Sequence, residues 1–232
     1  MKKQRATLLA GLVGGAIGAV AVRRSGLKAR LIAHLPWLSG DDSVLKDHFP
    51  VFAVGVACWV LFSLYWEAAA KSAAAAEKTE SRSSRGVHVA LISLAQLLIL
   101  IPIRGLGRYY SASSSIMLAG LAVEAMGILL AVWARRHLGR NWSGAIAIKV
   151  KHQLIRSGPY RLLRHPIYTG VLTMYIGTAI LTGERLALAG LVLAGVAYWR
   201  KIRLEEAALQ SAFGREYEDY RRATWALLPG LF

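Results

Sequence analysis

Two segments of the chain carry residues whose types and spacing suit binding of a charged small molecule. The first ends in Arg164-His165-Pro166, and the second is the pair Glu205-Glu206. Because proline is well placed in the first turn of a helix, Arg164 and His165 should lie just before a helix N-terminus, where backbone N–H groups and the helix dipole favour an anion. Arg164 or His165 could therefore hold the carboxylate of an amino-acid-like ligand, while one of the two glutamates holds its ammonium group.

Both segments also have a plainer interpretation. Basic residues at helix ends usually extend toward lipid headgroups, and neighbouring carboxylates beside cations usually form a solvated helix face. The chain would then be a non-catalytic membrane protein that uses its basic face for anionic lipid binding or assembly. This alternative gives no special role to His165 or to the glutamate pair.

The chain that must position these residues is strongly apolar and basic. Its 232 residues are 55% hydrophobic, and 29 Lys+Arg against 13 Asp+Glu give a formal charge of +16. The mean hydropathy is +0.41. Apolar residues are bunched into long runs instead of recurring at the period of a soluble core, which predicts an all-α integral membrane protein. The runs are Leu8–Val22, Phe49–Trp66, Val87–Ile103, Ile116–Ala134, Pro166–Gly183 and Leu186–Trp199.

We expect six transmembrane helices, or five if Leu8–Val22 only lies on the membrane. The most basic loop follows residue 134, and the positive-inside rule places such a loop in the cytoplasm. Counting across the runs puts both termini there too. Because the cations lie between the apolar runs, binding of nucleic acid is not expected. The single cysteine, Cys58, excludes an internal disulfide.

Several details of the connecting segments can also be predicted. Residues 67–85 are rich in Ala, Glu and Lys, so they should prolong the second helix until Ser81–Gly86 ends it. Gly183–Arg185 should turn the last two runs into a hairpin. Ala207–Arg222 should form an amphipathic helix, interrupted at Gly214, that lies against the cytoplasmic membrane face or caps the basic loop. The cations of Arg135–Lys149 should mainly set the topology.

Glu124 lies inside an apolar run, where a carboxylate is a functional candidate by default. Its neighbours Gly120, Ala125 and Gly127 indicate a closely packed helix face. Structural pairing with a polar neighbour and a role toward the substrate both remain open at this point.

Three motifs in their order along the chain resemble a known family. The stretch His152–Gly170 ends in the pattern Arg-His-Pro-x-Tyr-x-Gly, and Phe213–Tyr217 follows the glutamate pair. Upstream, Leu138–Ser143 reads Leu-Gly-Arg-Asn-Trp-Ser. Together they resemble the signature of the isoprenylcysteine carboxyl methyltransferase family and of the related phospholipid N-methyltransferases, with the upstream motif similar to bacterial members. The resemblance covers roughly Trp133–Pro229, and the similarity to bacterial members implies a membrane of the bacterial inner-membrane type.

The resemblance implies a division into N-terminal transmembrane helices, 1–134, and a methyltransferase core, 135–232, whose last helices and cytoplasmic tail form the cofactor pocket. The implied cofactor is S-adenosylmethionine, held without a Rossmann fold. Matched position by position, the residues implied to bind it are His152, Gln153, Leu154 and Ile155 in a strand-like segment, Gly158, Pro159 and Tyr160 in a turn, Arg164, His165, Pro166, Tyr168 and Gly170 near the methionine part, and Glu205 and Glu206.

The implied reaction is methyl transfer by in-line displacement from a sulfonium, in which positioning and desolvation of the acceptor dominate. Family members often have an arginine before the glutamate pair, and here Lys201 and Arg203 compete for that role. Either cation could orient a carboxylate acceptor, whereas an amine or thiol would need a base such as Glu205. The catalytic candidates are Glu205, Glu206, Arg203 and Lys201.

We expect a lipid-like acceptor that enters from the bilayer. The carboxyl group of an isoprenylcysteine-type substrate is the first choice, and a phospholipid amine or a small thiol is the alternative. No metal ion is expected to take part.

Overall fold

The computed structural model describes residues 43–70, 76–100, 113–143, 146–149 and 153–230. The predicted first run, 8–22, and His152 lie outside these residues. In the described part the chain forms six α-helices and two short strands, joined in part by turns of 3-10 helix. In chain order they are α1 (Ser43–Ala70), β1 (Ala76–Thr79), α2 (Arg82–Leu100), α3 (Ser114–Leu138), β2 (Ala147–Lys149), α4 (Pro166–Thr182), α5 (Arg185–Phe213) and α6 (Arg215–Arg222).

Three of the described helical stretches are long and apolar enough to cross a membrane. They are Pro50–Ala70 in α1, the whole of α2, and Ser114–Asn141, which is α3 with its following turn. Helix α4 is also apolar but has only 17 residues. The predicted all-α integral membrane protein is therefore confirmed. The number of crossings, six or five, stays a prediction.

Helices α3 and α4 pack with their backbones close together. A Cβ atom added to Gly120 would lie 2.5 Å from the backbone nitrogen of Leu181, and one added to Gly127 would lie 2.5 Å from the carbonyl oxygen of Gly170. Gly177 of α4 faces α3 in the same way. Small residues at such a contact allow close helix association in a membrane. The predicted close-packed face of α3 is thus confirmed, with α4 as its partner.

The alanine-rich segment after α1 does not continue the helix as predicted. Helix α1 ends at Ala70, and β1 pairs antiparallel with β2. Glu80 extends this pairing, because its N–H donates to the carbonyl of Ile146 at 2.9 Å and its carboxylate accepts from the N–H of Ile146 at 3.3 Å. Residues 82–86, expected to end a helix, instead begin α2. Helix propensity is a weak preference, and pairing with a distant strand overrides it here.

The last two apolar runs form the predicted hairpin. Helix α4 ends at Thr182, Gly183 adopts a left-handed conformation with φ of 62°, and α5 begins at Arg185. Helix α5 then continues to Phe213, so the first part of the expected tail helix belongs to it. The break comes at Gly214, whose φ is 53°, and α6 follows. Residues 200–206 are good helix formers and offer no reason for an earlier break.

The chain after α6 docks beside the N-terminus of α4. In this C-terminal clasp (Thr224–Leu227), the Trp225 carbonyl accepts from the N–H of Arg164 at 2.8 Å, and the Ala226 carbonyl accepts from the N–H of His165 at 3.1 Å. The two N–H groups before the helix, which we expected to favour an anion, therefore bind the clasp. Backbone donors in buried positions need such partners.

Arg135 was expected to help set the topology but is a buried structural residue, 2% exposed. Its guanidinium donates to the carbonyl oxygens of Gly139 at 3.0 Å and of Ala69 at 2.5 Å. It also lies 4.1 Å from the ring centroid of Trp142. Arg135 thus ties the C-terminal end of α1 to that of α3, because its guanidinium binds carbonyl oxygens at both helix ends.

Candidate functional site

A cavity of about 310 Å³ extends from the helix ends near the clasp into the space between the membrane helices. One part, the polar end, is lined mostly by residues of the predicted site. It comprises Gln153, Leu154, Ile155, Tyr160, Arg164, His165, Tyr168, Lys201, Glu205 and Tyr217. The other part, the apolar arm, is lined mainly by aromatic and aliphatic side chains. It comprises Trp59, Phe62, Ile92, Gln96, Val171 and Tyr175.

Glu206 holds two side chains of the polar end in place. Its Oε1 accepts from Arg164 Nε at 2.8 Å and lies 3.3 Å from His165 Nε2. Burial alone would raise the pKa of this carboxyl, but the hydrogen bonds and charges of His165 and Arg164 outweigh burial and lower the pKa to about 2. Glu206 is therefore an anion at neutral pH, and its side chain is only 11% exposed.

Arg164 also joins the site to the tail. Its Nη1 donates to the carbonyl oxygen of Arg221 at 3.0 Å and to that of Thr224. The buried guanidinium thus connects the N-terminus of α4 with α5, α6 and the clasp. A planar group with several fixed donors suits this task, which a lysine could not perform.

Glu205 lies on the cavity wall beside a tyrosine and a lysine. Its Oε2 accepts from the Tyr168 hydroxyl at 2.6 Å and lies 3.8 Å from His165 Nδ1. One turn earlier on α5, Lys201 Nζ lies 5.6 Å from the Tyr168 ring centroid. Burial lowers the pKa of the Lys201 ammonium group, and the charges of Glu205 and Glu80 oppose this effect. The polar end thus presents a carboxylate and an ammonium group close together.

The structure brings most of the predicted site residues to one cavity. Those that line it are Gln153, Leu154, Ile155, Tyr160, Arg164, His165, Tyr168, Lys201 and Glu205. Six others in the described part do not: Gly158, Pro159, Pro166, Gly170, Arg203 and Glu206. Whether each lining residue binds a cofactor stays a prediction.

The predicted site residues that do not line the cavity have other surroundings. Gly158 has a φ of 59°, and a Cβ atom there would lie 2.7 Å from the ring of His137. Gly170 packs against Gly127 of α3, so its small size serves helix packing. Arg203 is exposed. Of the two competing cations, only Lys201 lines the cavity.

Gln153–Ile155 does not form the expected strand-like segment, because this part of the chain has no regular secondary structure. The strand nearest in sequence is β2, which pairs with β1 instead. Gln153, Leu154 and Ile155 nevertheless reach the cavity wall, so their predicted position beside a ligand is compatible with the fold.

A chain of buried hydrogen bonds supports the wall of the apolar arm. Trp59 Nε1 donates to Thr178 Oγ1 at 2.9 Å, and Thr178 Oγ1 lies 3.0 Å from Glu124 Oε2. Glu124 is fully buried and is not part of the cavity wall. The geometry therefore favours structural pairing for Glu124, which fixes the indole of Trp59 against the ring of Tyr175 at a centroid distance of 5.1 Å.

Gln96, Tyr198 and Tyr217 are among the cavity residues that were not predicted as site residues. Gln96 and Tyr198 lie in apolar runs, where an amide or a tyrosine is the available signal for an internal site. Tyr217 appeared only as part of a motif. Its hydroxyl is buried and has no hydrogen-bond partner in the described part of the chain.

Known proteins resemble this chain in sequence. The sequence profile of the phospholipid methyltransferase family matches residues 115–216. A probable protein-S-isoprenylcysteine O-methyltransferase from Oryza sativa subsp. indica is 34% identical over 116 residues, which are 47% of this chain and 59% of that protein. Protein-S-isoprenylcysteine O-methyltransferase A from Arabidopsis thaliana is 30% identical over 154 residues, which are 61% of this chain and 74% of that protein.

A solved structure shares the fold. It is that of the eukaryotic intramembrane Ras methyltransferase, isoprenylcysteine carboxyl methyltransferase, with a TM-score of 0.50 and 17% identity over 97% of this chain and 96% of that one. The family profile spans α3 to α6, which include the helices that build the polar end. On the sequence and fold together, this chain belongs to the superfamily of isoprenylcysteine carboxyl methyltransferases and phospholipid methyltransferases.

Proposed function

We propose that this protein is a membrane-embedded methyltransferase that moves a methyl group from S-adenosylmethionine to a lipid-like acceptor. The observation that carries this proposal is the continuity of the cavity. Its polar end, beside Glu205 and Lys201, passes directly into the apolar arm between the membrane helices. The polar end can hold a charged cofactor and the reacting group of a lipid. The apolar arm can hold the hydrocarbon chain of that lipid.

The polar end fits the cofactor. Glu205 offers an anion to its ammonium group, while the Tyr168 ring offers a π face to a positive sulfur. Tyr217 lines the same end, and its buried hydroxyl has no partner in the described residues. A buried polar group of this kind is expected where a ligand completes the hydrogen bonds. When bound, the cofactor supplies a methyl group made reactive by its sulfonium.

For the acceptor we propose the carboxyl group of an isoprenylcysteine-type lipid. Lys201 would orient this carboxylate, and the surrounding tyrosines would exclude water from it. The names of the rice and Arabidopsis relatives favour this acceptor over a phospholipid amine or a small thiol. Either of these would need Glu205 as a base, and that carboxylate already accepts from the Tyr168 hydroxyl.

We also propose that the polar end faces the cytoplasm of a bacterial-type cell. The basic loop after α3, the start of α4 and the tail all meet at this end of the helices. The positive-inside rule then places that end, the tail and, for six crossings, the N-terminus in the cytoplasm.

The test is transfer of a labelled methyl group from S-adenosylmethionine in detergent or bilayer, with an isoprenylcysteine, a phospholipid amine and a small thiol offered in parallel. We expect label on the isoprenylcysteine as a base-labile ester. Glu205→Gln should reduce transfer on the order of 100-fold, because it removes the anion at the cofactor. Tyr217→Phe should weaken cofactor binding without loss of stability.

Glu218→Gln is the matched control, because this exposed carboxylate of α6 pairs only with Arg222 in a surface ion pair. It should leave transfer unchanged. Wild-type protein that transfers no label to any acceptor, or equal transfer by the Glu205→Gln variant, would show that the proposed function is wrong.

A further inference from the structure

The apolar arm contains a polar group whose hydrogen bonds are incomplete. Gln96 of α2 is 6% exposed and lines the arm together with Trp59, Ile92 and Tyr175. Its Nε2 atom is buried and has no hydrogen-bond partner in the described part of the chain. An amide nitrogen carries two N–H donors, so the wall of this otherwise apolar space holds donors without an acceptor.

The orientation of the amide follows from its neighbour. The Tyr175 hydroxyl lies 2.9 Å from Gln96 Oε1 and 3.5 Å from the carbonyl oxygen of Ile92. A hydroxyl has one proton, and the shorter contact is the better hydrogen bond. Tyr175 therefore donates to Oε1, which fixes the amide and leaves Nε2 as the group without a partner.

A buried donor without an acceptor destabilises the folded protein, and an arm that held only hydrocarbon would be better lined by leucine. We infer that Gln96 binds an oxygen acceptor, such as an ester or ether oxygen, in the membrane-buried part of the lipid that this enzyme methylates. That the bound lipid is also the methyl acceptor rests on the proposed function. That the arm binds an oxygen-bearing lipid rests on the cavity alone.

The fold also gives the position of this oxygen. Tyr168 of the polar end and Tyr175 beside Gln96 are seven residues apart on α4, which corresponds to about 10 Å along a helix. The preferred lipid should therefore carry its oxygen about 10 Å from the group that accepts the methyl. A plain polyprenyl hydrocarbon has no oxygen at this place, so Gln96 would act as a specificity-determining residue.

The test compares three lipids with the same cysteine carboxyl group. One has a hydrocarbon chain, the second has an ether oxygen about 10 Å from the carboxyl, and the third has an ester carbonyl at that place. Binding to the purified full-length protein is measured by calorimetry in detergent. Wild type should bind both oxygen-bearing lipids on the order of tenfold more tightly than the hydrocarbon.

Gln96→Leu should abolish this preference, and Gln96→Met provides a second, unbranched replacement. Both remove the unpaired Nε2 but also the acceptor of the Tyr175 hydroxyl, so thermal unfolding in detergent is measured beside binding to show that the variants are folded. Gln210→Leu is the matched control: it makes the same change at an exposed amide of α5 that donates to the carbonyl of Gly214 at 3.1 Å. It should keep the full preference.

Equal wild-type affinity for the three lipids, or a preference that survives both Gln96 variants, would overturn the inference. Tighter binding of the ester lipid alone would support it and assign a carbonyl to the site. Methyl transfer to the same lipids is followed separately with labelled cofactor. Absence of transfer would count against the proposed function, while the binding preference still decides the role of Gln96.

Discussion

At the scale of single residues, Glu206 shows how charge is organised around the polar end. Its carboxylate binds Arg164 and His165 at once and does not touch the cavity. Glu205, the next residue, lines the cavity and accepts from Tyr168. Adjacent residues of a helix point in different directions, so one glutamate positions the site and its neighbour is available to a ligand.

The substitution Glu206→Gln should make the free energy of unfolding depend less on pH. The folded protein lowers the pKa of Glu206 from 4.5 to about 2, so its charge stabilises the fold above about pH 4.5, and this stabilisation is lost as the pH falls toward 2. At neutral pH the variant should have a free energy of unfolding lower by about 3 kcal/mol. Unfolding in detergent at pH 7 and at pH 3 measures the difference.

The difference between wild type and variant should shrink at the lower pH. An equal difference at both values would contradict the assignment of a charged Glu206 to the fold. Glu218→Gln at pH 7 is the control, and it should change the free energy of unfolding little because surface ion pairs contribute little.

The sequence predicted which residues form the site better than it predicted the role of each residue. Arg164, His165, Tyr168, Lys201 and Glu205 do meet at one cavity, because their spacing places the first three at the start of α4 and the last two on one face of α5. Their contacts with one another depend on side-chain rotation and on the docked tail, neither of which leaves a local pattern. For the same reason Gln96 was overlooked, since its role depends on α2 lying against α4.

At the scale of elements, the glycine contact between α3 and α4 fixes the framework of the site. Gly127→Ala should lower the free energy of unfolding by roughly 1–3 kcal/mol, because its methyl group would meet the carbonyl oxygen of Gly170 at 2.5 Å. The midpoint of thermal unfolding in detergent measures this loss.

Gly195→Ala on α5 is the matched control. No atom lies within 4 Å of a Cβ atom at this position, so alanine should be neutral or slightly stabilising in the helix. Equal stability of the two variants would contradict the close contact between α3 and α4.

The apolar runs predicted the described membrane helices well, because an uninterrupted apolar stretch is a strong local signal. The run Ile116–Ala134 became α3, Ser114–Leu138, and Pro166–Gly183 became α4, Pro166–Thr182. The β1–β2 pair and the C-terminal clasp were not predicted. Both join backbone segments that are far apart in sequence, and β1 lies in an alanine-rich stretch whose composition favours helix.

At the scale of the whole molecule, the described loops and the tail lie at two opposite ends of the helices. The β1–β2 pair, the start of α4 and the clasp lie at one end, and the turn between α4 and α5 lies at the other. In a Cys58→Ala background, Ser211→Cys on α5 and Arg185→Cys at the turn should therefore react with an impermeant maleimide from opposite sides of the membrane. Labelling of intact and permeabilised cells measures this.

We expect Ser211→Cys to react from the cytoplasmic side only. Both variants should react after permeabilisation, which controls for exposure of the thiol. Labelling of both positions from the same side would contradict the arrangement of α4 and α5 as a membrane-crossing hairpin.

The docking of the C-terminal clasp also sets an order of events during biogenesis. A nascent chain can insert α1 to α5 into the membrane before Thr224–Leu227 has left the ribosome, yet the N–H groups of Arg164 and His165 then lack their partners. Because Arg164 also binds carbonyls of the tail, the polar end stays incomplete until translation passes this segment. Insertion of the helices into the bilayer and completion of the polar end are therefore separable steps.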